Sequence, residues 1–394
     1  MKAAYILPKG FLSAGIYGGL KKSKHLDMGL IYSVAPCEVA AFYTKNKLQS
    51  AHIIYDKNID KEKIHALFAN SGNANALTGM QGILDAVEIT RAVEETLCLK
   101  KNSTLLASTG KIGKKMPMDK ILKNIPALVR GLSEKDKNFP VAIMTTDLTV
   151  KVKTLSLKLD GKPVVITGVA KGSGMISPNM ATMLAFVMTD ANIDKTLLFS
   201  AAKEAVDLSF NRVTVDGDMS PNDTLFLMAN GLAGNKKLSK QGKAYTAFKQ
   251  AIFKIFYALA EDMNRDGEGA TKFVKITIKK AASEKQAAAV ARSIANSPLV
   301  KTCFFGGSLN PGRIISAAGA SLEAIDIEKL ELKINGVTII KDGEMVMKNA
   351  TATVKEMKTK DLAVELLLNT GKAEYYLLTT DLSVDYIKIN ADYN

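Results

Sequence analysis

At 394 residues the chain exceeds what one hydrophobic core usually supports, so two structural domains are expected. Its 47% apolar and 23% charged residues exclude a disordered polar chain, and no apolar run approaches the length of a membrane helix. The net charge of +14 comes from scattered lysines (Lys21, Lys22, Lys24; Lys111, Lys114, Lys115; Lys236, Lys237) without interleaved aromatics. That pattern reads as a solubilising surface whose field suits anionic small molecules, and no nucleic-acid partner is expected.

The first 80 residues are punctuated by glycine, and Pro8 interrupts the opening stretch before a signal-peptide core, so a cytoplasmic protein with no membrane partner is expected. Residues 39–44 and 64–69 read as strands. The second ends in Asn70-Ser-Gly-Asn-Ala-Asn75, whose amides suit a turn bonded to its own backbone. His25, His52 and His65 form no His-x-x-x-His pair, and Cys37, Cys98 and Cys303 lie far apart, so neither a metal nor a disulfide framework is expected. Ile83 with Val87, and Val93 with Leu97, predict a helix from 81 to about 100. Residues 104–107 read as a strand running into Ser108-Thr-Gly110. A hydroxyl and exposed backbone N–H groups there suit an oxyanion hole, and a plain strand-to-turn transition has the same sequence. A helix is expected over 118–132, interrupted at Pro126.

Asp160-Gly161 between alternating runs at 150–159 and 164–167 predicts a hairpin. A helix is expected from about 193 to 210. The acidic segment 214–224 that follows lacks the ligand spacing and closing Glu of a calcium loop. The clearest helix spans about 239–263, with Phe248, Ile252, Ile255, Phe256, Leu259 and Met263 on one stripe. The loop after it leaves Glu268 between two glycines, which permit close approach to a ligand. A strand at 274–278 precedes an alanine-rich helix at 281–297, a candidate domain junction. The remainder is mostly β: strands at 330–334 and 337–340 around Asn335-Gly336, a helix near 354–358, and strands at 363–368 and 375–379.

The stretch 171–190 has two unlike halves. Residues 171–181 are rich in Gly, Ser, Pro and Asn, whereas 182–188 form a short apolar run that suits a buried strand. The loop thus delivers the Thr182 hydroxyl to the first position of a strand. If the Ala181–Thr182 bond is cut, the free α-amine of Thr182 can take the hydroxyl proton, making Thr182 a nucleophile. A threonine that simply opens a strand has the same appearance.

Together these stretches resemble one family over essentially the whole chain, the ornithine acetyltransferases (glutamate N-acetyltransferases) of arginine biosynthesis. The motifs are Asn70-Ser-Gly-Asn-Ala-Asn75, Ser108-Thr-Gly110, Thr145-Thr-Asp147 and Lys171-Gly-Ser-Gly-Met175 through Ala181-Thr-Met-Leu184. Thr214-Val-Asp-Gly-Asp218, Asp266-Gly-Glu-Gly-Ala-Thr-Lys272 and Ser297-Pro-Leu-Val-Lys-Thr302 follow in order. The resemblance implies a layered α/β sandwich of the aminopeptidase and N-terminal-nucleophile type with a smaller C-terminal α/β domain. It implies self-cleavage at Ala181–Thr182 into an α chain (1–181) and a β chain (182–394), with 182–285 completing the catalytic domain and 286–394 forming the smaller one.

The implied reaction is ping-pong: Thr182 takes acetyl from N2-acetylornithine and passes it to glutamate. Acetyl-CoA is a further substrate in some members, no separate cofactor is implied, and the assembly is an α2β2 heterotetramer. Thr109 and Gly110 match the oxyanion-hole pair. Thr145, Lys171, Thr182, Glu268 and Asn390 match substrate contacts, with Lys171 for an α-carboxylate and Glu268 for the ornithine ammonium, and Asn394 is a candidate for one more. Three departures stand out: Ser308-Leu-Asn-Pro-Gly-Arg313 lacks the family's acid and aromatic, Met219-Ser-Pro221 replaces a threonine-rich run, and the sequence stops at Asn394, whereas the family carries a Ser or Thr five residues after the Asn390 equivalent, so that contact is missing or taken by Asn394. The alternatives are an amidase or aminopeptidase of the same fold and a catalytically silent basic binding paralogue.

Overall fold

The computed structural model describes residues 5–177 and 183–392. They form two compact units: the described parts of 1–172, 179–211 and 219–263, and those of 173–178, 212–218 and 264–394.

In the first unit, strands β1 (Phe11–Ile16), β2 (Met28–Tyr43), β3 (Ile64–Asn70), β4 (Thr104–Ser108), β5 (Lys151–Leu159), β6 (Lys162–Lys171), β7 (Leu184–Thr189) and β8 (Thr224–Ala229) join in one sheet. Its order is β4-β3-β2-β8-β7-β6-β5, with β1 also on β2. The long β2 is the joint. Its first part pairs with β1 and β3, its register shifts between Tyr32 and Cys37, and its last part pairs with β8. The helices are α1 (Ala51–Asn58), α2 (Gly79–Thr96), α3 (Met118–Arg130), α4 (Phe139–Ala142), α5 (Lys195–Asp207) and α6 (Lys243–Arg265).

Layering follows from which faces are apolar. Phe139 of α4 lies against Gly29 of β2, where a Cβ would come 2.8 Å from its ring, and meets Phe186 of β7 edge-on at 5.8 Å. The two arms of the sheet therefore face each other across this ring. Leu184, Phe186 and Met188 enter the same core as Leu30, Phe68, Ile89 and Ile125, so α2 and α3 close one side. On the opposite face of β6 and β7, a Cβ on Gly168 would stand 2.7 Å from Leu259 and 2.9 Å from Ile255 of α6, which is why a glycine occupies that point. The α/β class and the layered arrangement are as expected.

The second unit has a sheet of β9 (Phe273–Ala281), β10 (Glu331–Ile334), β11 (Val337–Lys341), β12 (Glu344–Met345), β13 (Asp361–Leu367) and β14 (Ala373–Thr380), in the order β12-β11-β10-β13-β9-β14. Helices α7 (Glu284–Ala295), α8 (Pro298–Gly306), α9 (Pro311–Gly319), α10 (Ala350–Glu356) and α11 (Val384–Ala391) complete it. The buried face of α7, with Ala287, Val290, Ala291 and Ile294, packs on β9 and β14.

Two elements differ from the sequence reading. The helix α3 runs unbroken through Pro126: the proline removes one backbone donor, but Ile121, Ile125 and Leu128 bury the same stripe on both sides of it. The alanine-rich α7 is core and not a junction. Its small side chains let it lie close to the sheet, and the chain's last crossing between the units comes at 263–264, ahead of β9, where the sequence reading began the smaller domain at 286. The Ser308–Arg313 departure forms a helix start, with Asn310 capping α9 through the Arg313 N–H and Pro311 in the first turn.

Phe186 has no exposed surface, stacks on Phe226 and meets Phe139 edge-on. Phe186→Ala should cost about 3–5 kcal/mol in urea unfolding; a loss below about 1 kcal/mol would contradict this packing.

Candidate active site

The parallel strands β3 and β4 end side by side, Asn70 opposite Ser108. The Ser108 hydroxyl donates to Asn70 Oδ1 (2.7 Å), Thr109 N–H to the Asn70 carbonyl (3.0 Å), and Asn70 Nδ2 to the Asn73 carbonyl (2.9 Å). Asn222 Nδ2 then donates to the carbonyls of Ala74 (2.5 Å) and Ser108 (2.8 Å). The Asn-rich run is thus a turn closed by its own amides, as its composition predicts. Gly110 follows at φ +131°, and a Cβ there would fall 2.4 Å from the Gly72 carbonyl carbon, so only glycine fits.

At the end of β6 the buried Lys171 donates from Nζ to Thr109 Oγ1 (3.2 Å). Because the Thr109 N–H is already used, its hydroxyl is the donor it can aim at a substrate oxygen. Asp147 organises the surroundings. Its Oδ1 accepts from Lys151 Nζ (2.6 Å) and Gly172 N–H (2.7 Å), and its Oδ2 from Thr145 N–H (3.0 Å). Burial by itself would raise this carboxyl, but the Lys171 and Lys151 ammonium groups and these hydrogen bonds hold it at about 2. Lys21 donates to the carbonyls of Leu26 and Met144. Burial lowers it to about 8, with Asp27 opposing and Lys171 adding to the fall. Two carboxylates, Asp147 and Asp27, among the three lysines Lys21, Lys151 and Lys171 leave a local excess of one positive charge, suited to a substrate carboxylate.

Ala181 and Thr182 lie outside the described residues, as does Asn394. The next residue, Met183, is held at both backbone groups: its N–H donates to Asp223 Oδ1 (3.2 Å), and its carbonyl accepts from Thr224 N–H (3.0 Å). Thr224 Oγ1 is 3.1 Å from His52 Nε2, and His52 Nδ1 is 2.9 Å from Ser50 Oγ. Burial pushes His52 down to about 3, so it stays neutral and links the two hydroxyls without titrating.

Thr109, Gly110, Thr145 and Lys171 belong to the first unit, Glu268 and Asn390 to the second. Glu268 N–H donates to the Ser173 carbonyl (2.8 Å), and Glu268 Oε2 accepts from Asn390 Nδ2 (2.9 Å). A Cβ on Gly174 would stand 2.2 Å from Glu268 Oε2, so that glycine makes room for the carboxylate. The loop beyond is tied down by Asp381, which accepts from the N–H groups of Thr271 and Lys272 and from the Thr271 hydroxyl. Lys301 is buried and donates to the Thr380 carbonyl (2.6 Å); burial lowers it to about 8 against the pull of Asp381 and Asp216. Asp147 and Asp216 sit inside motifs that carry the family resemblance and Asp223 in the acidic segment 214–224, but no local pattern marks any of the three for a role.

Removing the Asp147 charge leaves Lys151, only 1% exposed, without its carboxylate. Asp147→Asn should therefore cost about 3–5 kcal/mol at neutral pH. Because the folded carboxyl sits at about 2, below its unfolded value near ~4, this contribution is complete above the unfolded value and lost as pH falls through the folded one. Urea unfolding of both proteins should show the gap closing between about pH 4 and pH 2; a gap independent of pH would overturn this assignment.

The ArgJ family profile matches residues 12–394. The chain is 43% identical over 390 residues to the arginine biosynthesis bifunctional protein ArgJ of Geobacter sulfurreducens, covering 98% of this chain and 99% of that protein. It is 39% identical to the protein of the same name from Caldanaerobacter subterraneus subsp. tengcongensis, covering 98% and 97%. The crystal structure of the bifunctional protein argJ from Bacillus halodurans is 37% identical, covers 52% of this chain and 97% of that one, and superposes with a TM-score of 0.49. A family match over nearly the full length, joined to the motifs above, leads to one conclusion: the chain belongs to the ArgJ family, the ornithine acetyltransferases of arginine biosynthesis.

Proposed function

We propose that this chain, an acetyltransferase of arginine biosynthesis, moves the acetyl group of N2-acetylornithine to glutamate through an acetyl-Thr182 intermediate. The observation that carries the reading is the Thr109–Lys171 contact beside Asp147, a donor pair and a fixed cation in a chain of this family. Cutting Ala181–Thr182 frees the α-amine of Thr182. That amine takes the hydroxyl proton as Oγ attacks the acetyl carbonyl, and the Thr109 hydroxyl and Gly110 N–H steady the oxyanion. Collapse breaks the amide bond and returns the proton to the leaving nitrogen, releasing ornithine. Glutamate's amine then attacks the acetyl ester, and Thr182 is regenerated.

Lys171 suits the α-carboxylate that donor and acceptor share, and Asp147, whose charge it influences, also accepts the Thr145 N–H. Glu268 suits the ornithine ammonium. Asn390 Nδ2 gives its two N–H groups to Glu268 Oε2 and the Tyr386 carbonyl, and serves the side-chain carboxylate of glutamate, which Glu268 alone would repel, by giving up the first of these. Acetyl-CoA as a second acetyl donor, in keeping with the relatives' name "bifunctional", an α2β2 assembly of the two halves and a cytoplasmic setting belong to the same reading. No described helix is long and apolar enough to cross a membrane.

Intact-mass measurement of the wild type should give two fragments meeting at Ala181/Thr182. Thr182→Ala should stay whole and lose at least about 10³-fold in ornithine release. Release in the wild type should depend on glutamate and give parallel double-reciprocal lines. A whole wild-type chain would sink the mechanism, and release to water at an undiminished rate would favour an amidase.

A further inference from the structure

The second unit contains a closed circuit of hydrogen bonds around Glu268 that involves residues with no assigned part in the reaction. Asp216 is its hub. Oδ2 accepts from Met175 N–H (2.6 Å) and Oδ1 from Ile176 N–H (2.8 Å) and Asp218 N–H (3.2 Å). Oδ2 also accepts from the Tyr386 hydroxyl (3.2 Å). Burial, and then the Asp216 carboxylate beside it, raise the Tyr386 phenol, so it remains a donor.

From Tyr386 the circuit continues along α11. The Tyr386 carbonyl accepts from Asn390 Nδ2 (3.0 Å), and the same amide reaches Glu268 Oε2 (2.9 Å). Glu268 N–H returns to the Ser173 carbonyl, two residues before Met175. Ser383, Tyr386 and Asn390 are spaced three and four apart, so they share one face of the helix. Ser383 caps α11 and donates to the Gly269 carbonyl (2.6 Å). Gly269, at φ +65°, lies so close that a Cβ would come 2.4 Å from the Tyr386 N–H nitrogen. The loop that presents Glu268 is thus seated against α11 at two points, and α11 is fixed in turn by the phenol on Asp216.

We propose that Tyr386 and Asp216 are positioning residues that set where the Glu268 carboxylate and the Asn390 amide stand for the substrate's side-chain ammonium. The proposal rests on the reading of Glu268 as the ammonium partner. The Tyr386 hydroxyl touches no reacting atom in this scheme; it removes freedom from α11, so that the Asn390–Glu268 contact is made before substrate arrives. A carboxylate placed in advance favours a cationic side chain more than one that must be drawn in. The consequence is specificity: discrimination between an ammonium-bearing acetyl donor and an uncharged one of equal length.

The test compares kcat/KM for N2-acetylornithine with that for N2-acetylnorleucine, in which a methyl group replaces the ammonium, in the full-length enzyme. Glu268→Gln should reduce this ratio by at least about tenfold, and Tyr386→Phe, which keeps the ring, by about tenfold through KM with little change in kcat. Asp216→Asn should follow Tyr386→Phe if it folds. A ratio unchanged in Tyr386→Phe but reduced in Glu268→Gln would overturn the positioning proposal alone. A ratio unchanged in Glu268→Gln would overturn the reading of Glu268 and the proposal with it. Equal losses on both substrates in Tyr386→Phe leave the ratio unchanged and count against the proposal as a merely structural effect.

Discussion

A carboxylate without exposed surface stays ionised only where cations and N–H donors replace the water it has lost, and Asp147 is placed under that constraint. Its two oxygens take a buried lysine and two backbone N–H groups. The two backbone partners lead to candidate residues: the Thr145 N–H belongs to one, and Gly172 is bonded in the chain to Lys171. With the carboxylate neutral or absent, the lysines around it would repel one another in a medium that screens poorly. The Thr109–Lys171 contact therefore depends on a group that need not touch the substrate.

The same physical device recurs in three further loops. Asp223 receives the N–H of Met183, Asp216 those of Met175 and Ile176, and Asp381 those of Thr271 and Lys272. An irregular backbone must satisfy its N–H groups somewhere, and an ionised carboxylate is a strong acceptor with room for several donors. The acidic segment 214–224, whose composition superficially suggests a cation loop, spends Asp216 and Asp223 on backbone donors.

Much of this arrangement was legible in the sequence where the signal was local. Asp160-Gly161 forms its predicted turn, with φ of +49° and +78°, because only residues tolerant of the left-handed region allow a two-residue hairpin there. The stripe from Phe248 to Met263 forms one long buried helix face. The Asn70–Asn75 amides close their own turn. Less was legible where the determinant was distant. Pro126 signals a break, and the burial of Ile121 and Ile125 overrides it. The alanines of α7 carry little apolar signal, yet they lie in a core because small residues allow close packing on a sheet. Tyr386 and Asp216 are 170 residues apart, and neither carries a local pattern that points to the other.

By itself, the sequence determined the turns, the helical and strand periodicities, the family and the residue types available for acyl transfer, because each depends on neighbours within a few positions or on motifs kept in order. The tertiary structure alone decided which carboxylates are buried and which donors they serve. It also decided that β2 carries both arms of its sheet and that Thr109 meets Lys171 at 3.2 Å. The charge state and reach of a buried group are properties of the atoms packed around it, and those atoms come from segments far apart in the chain.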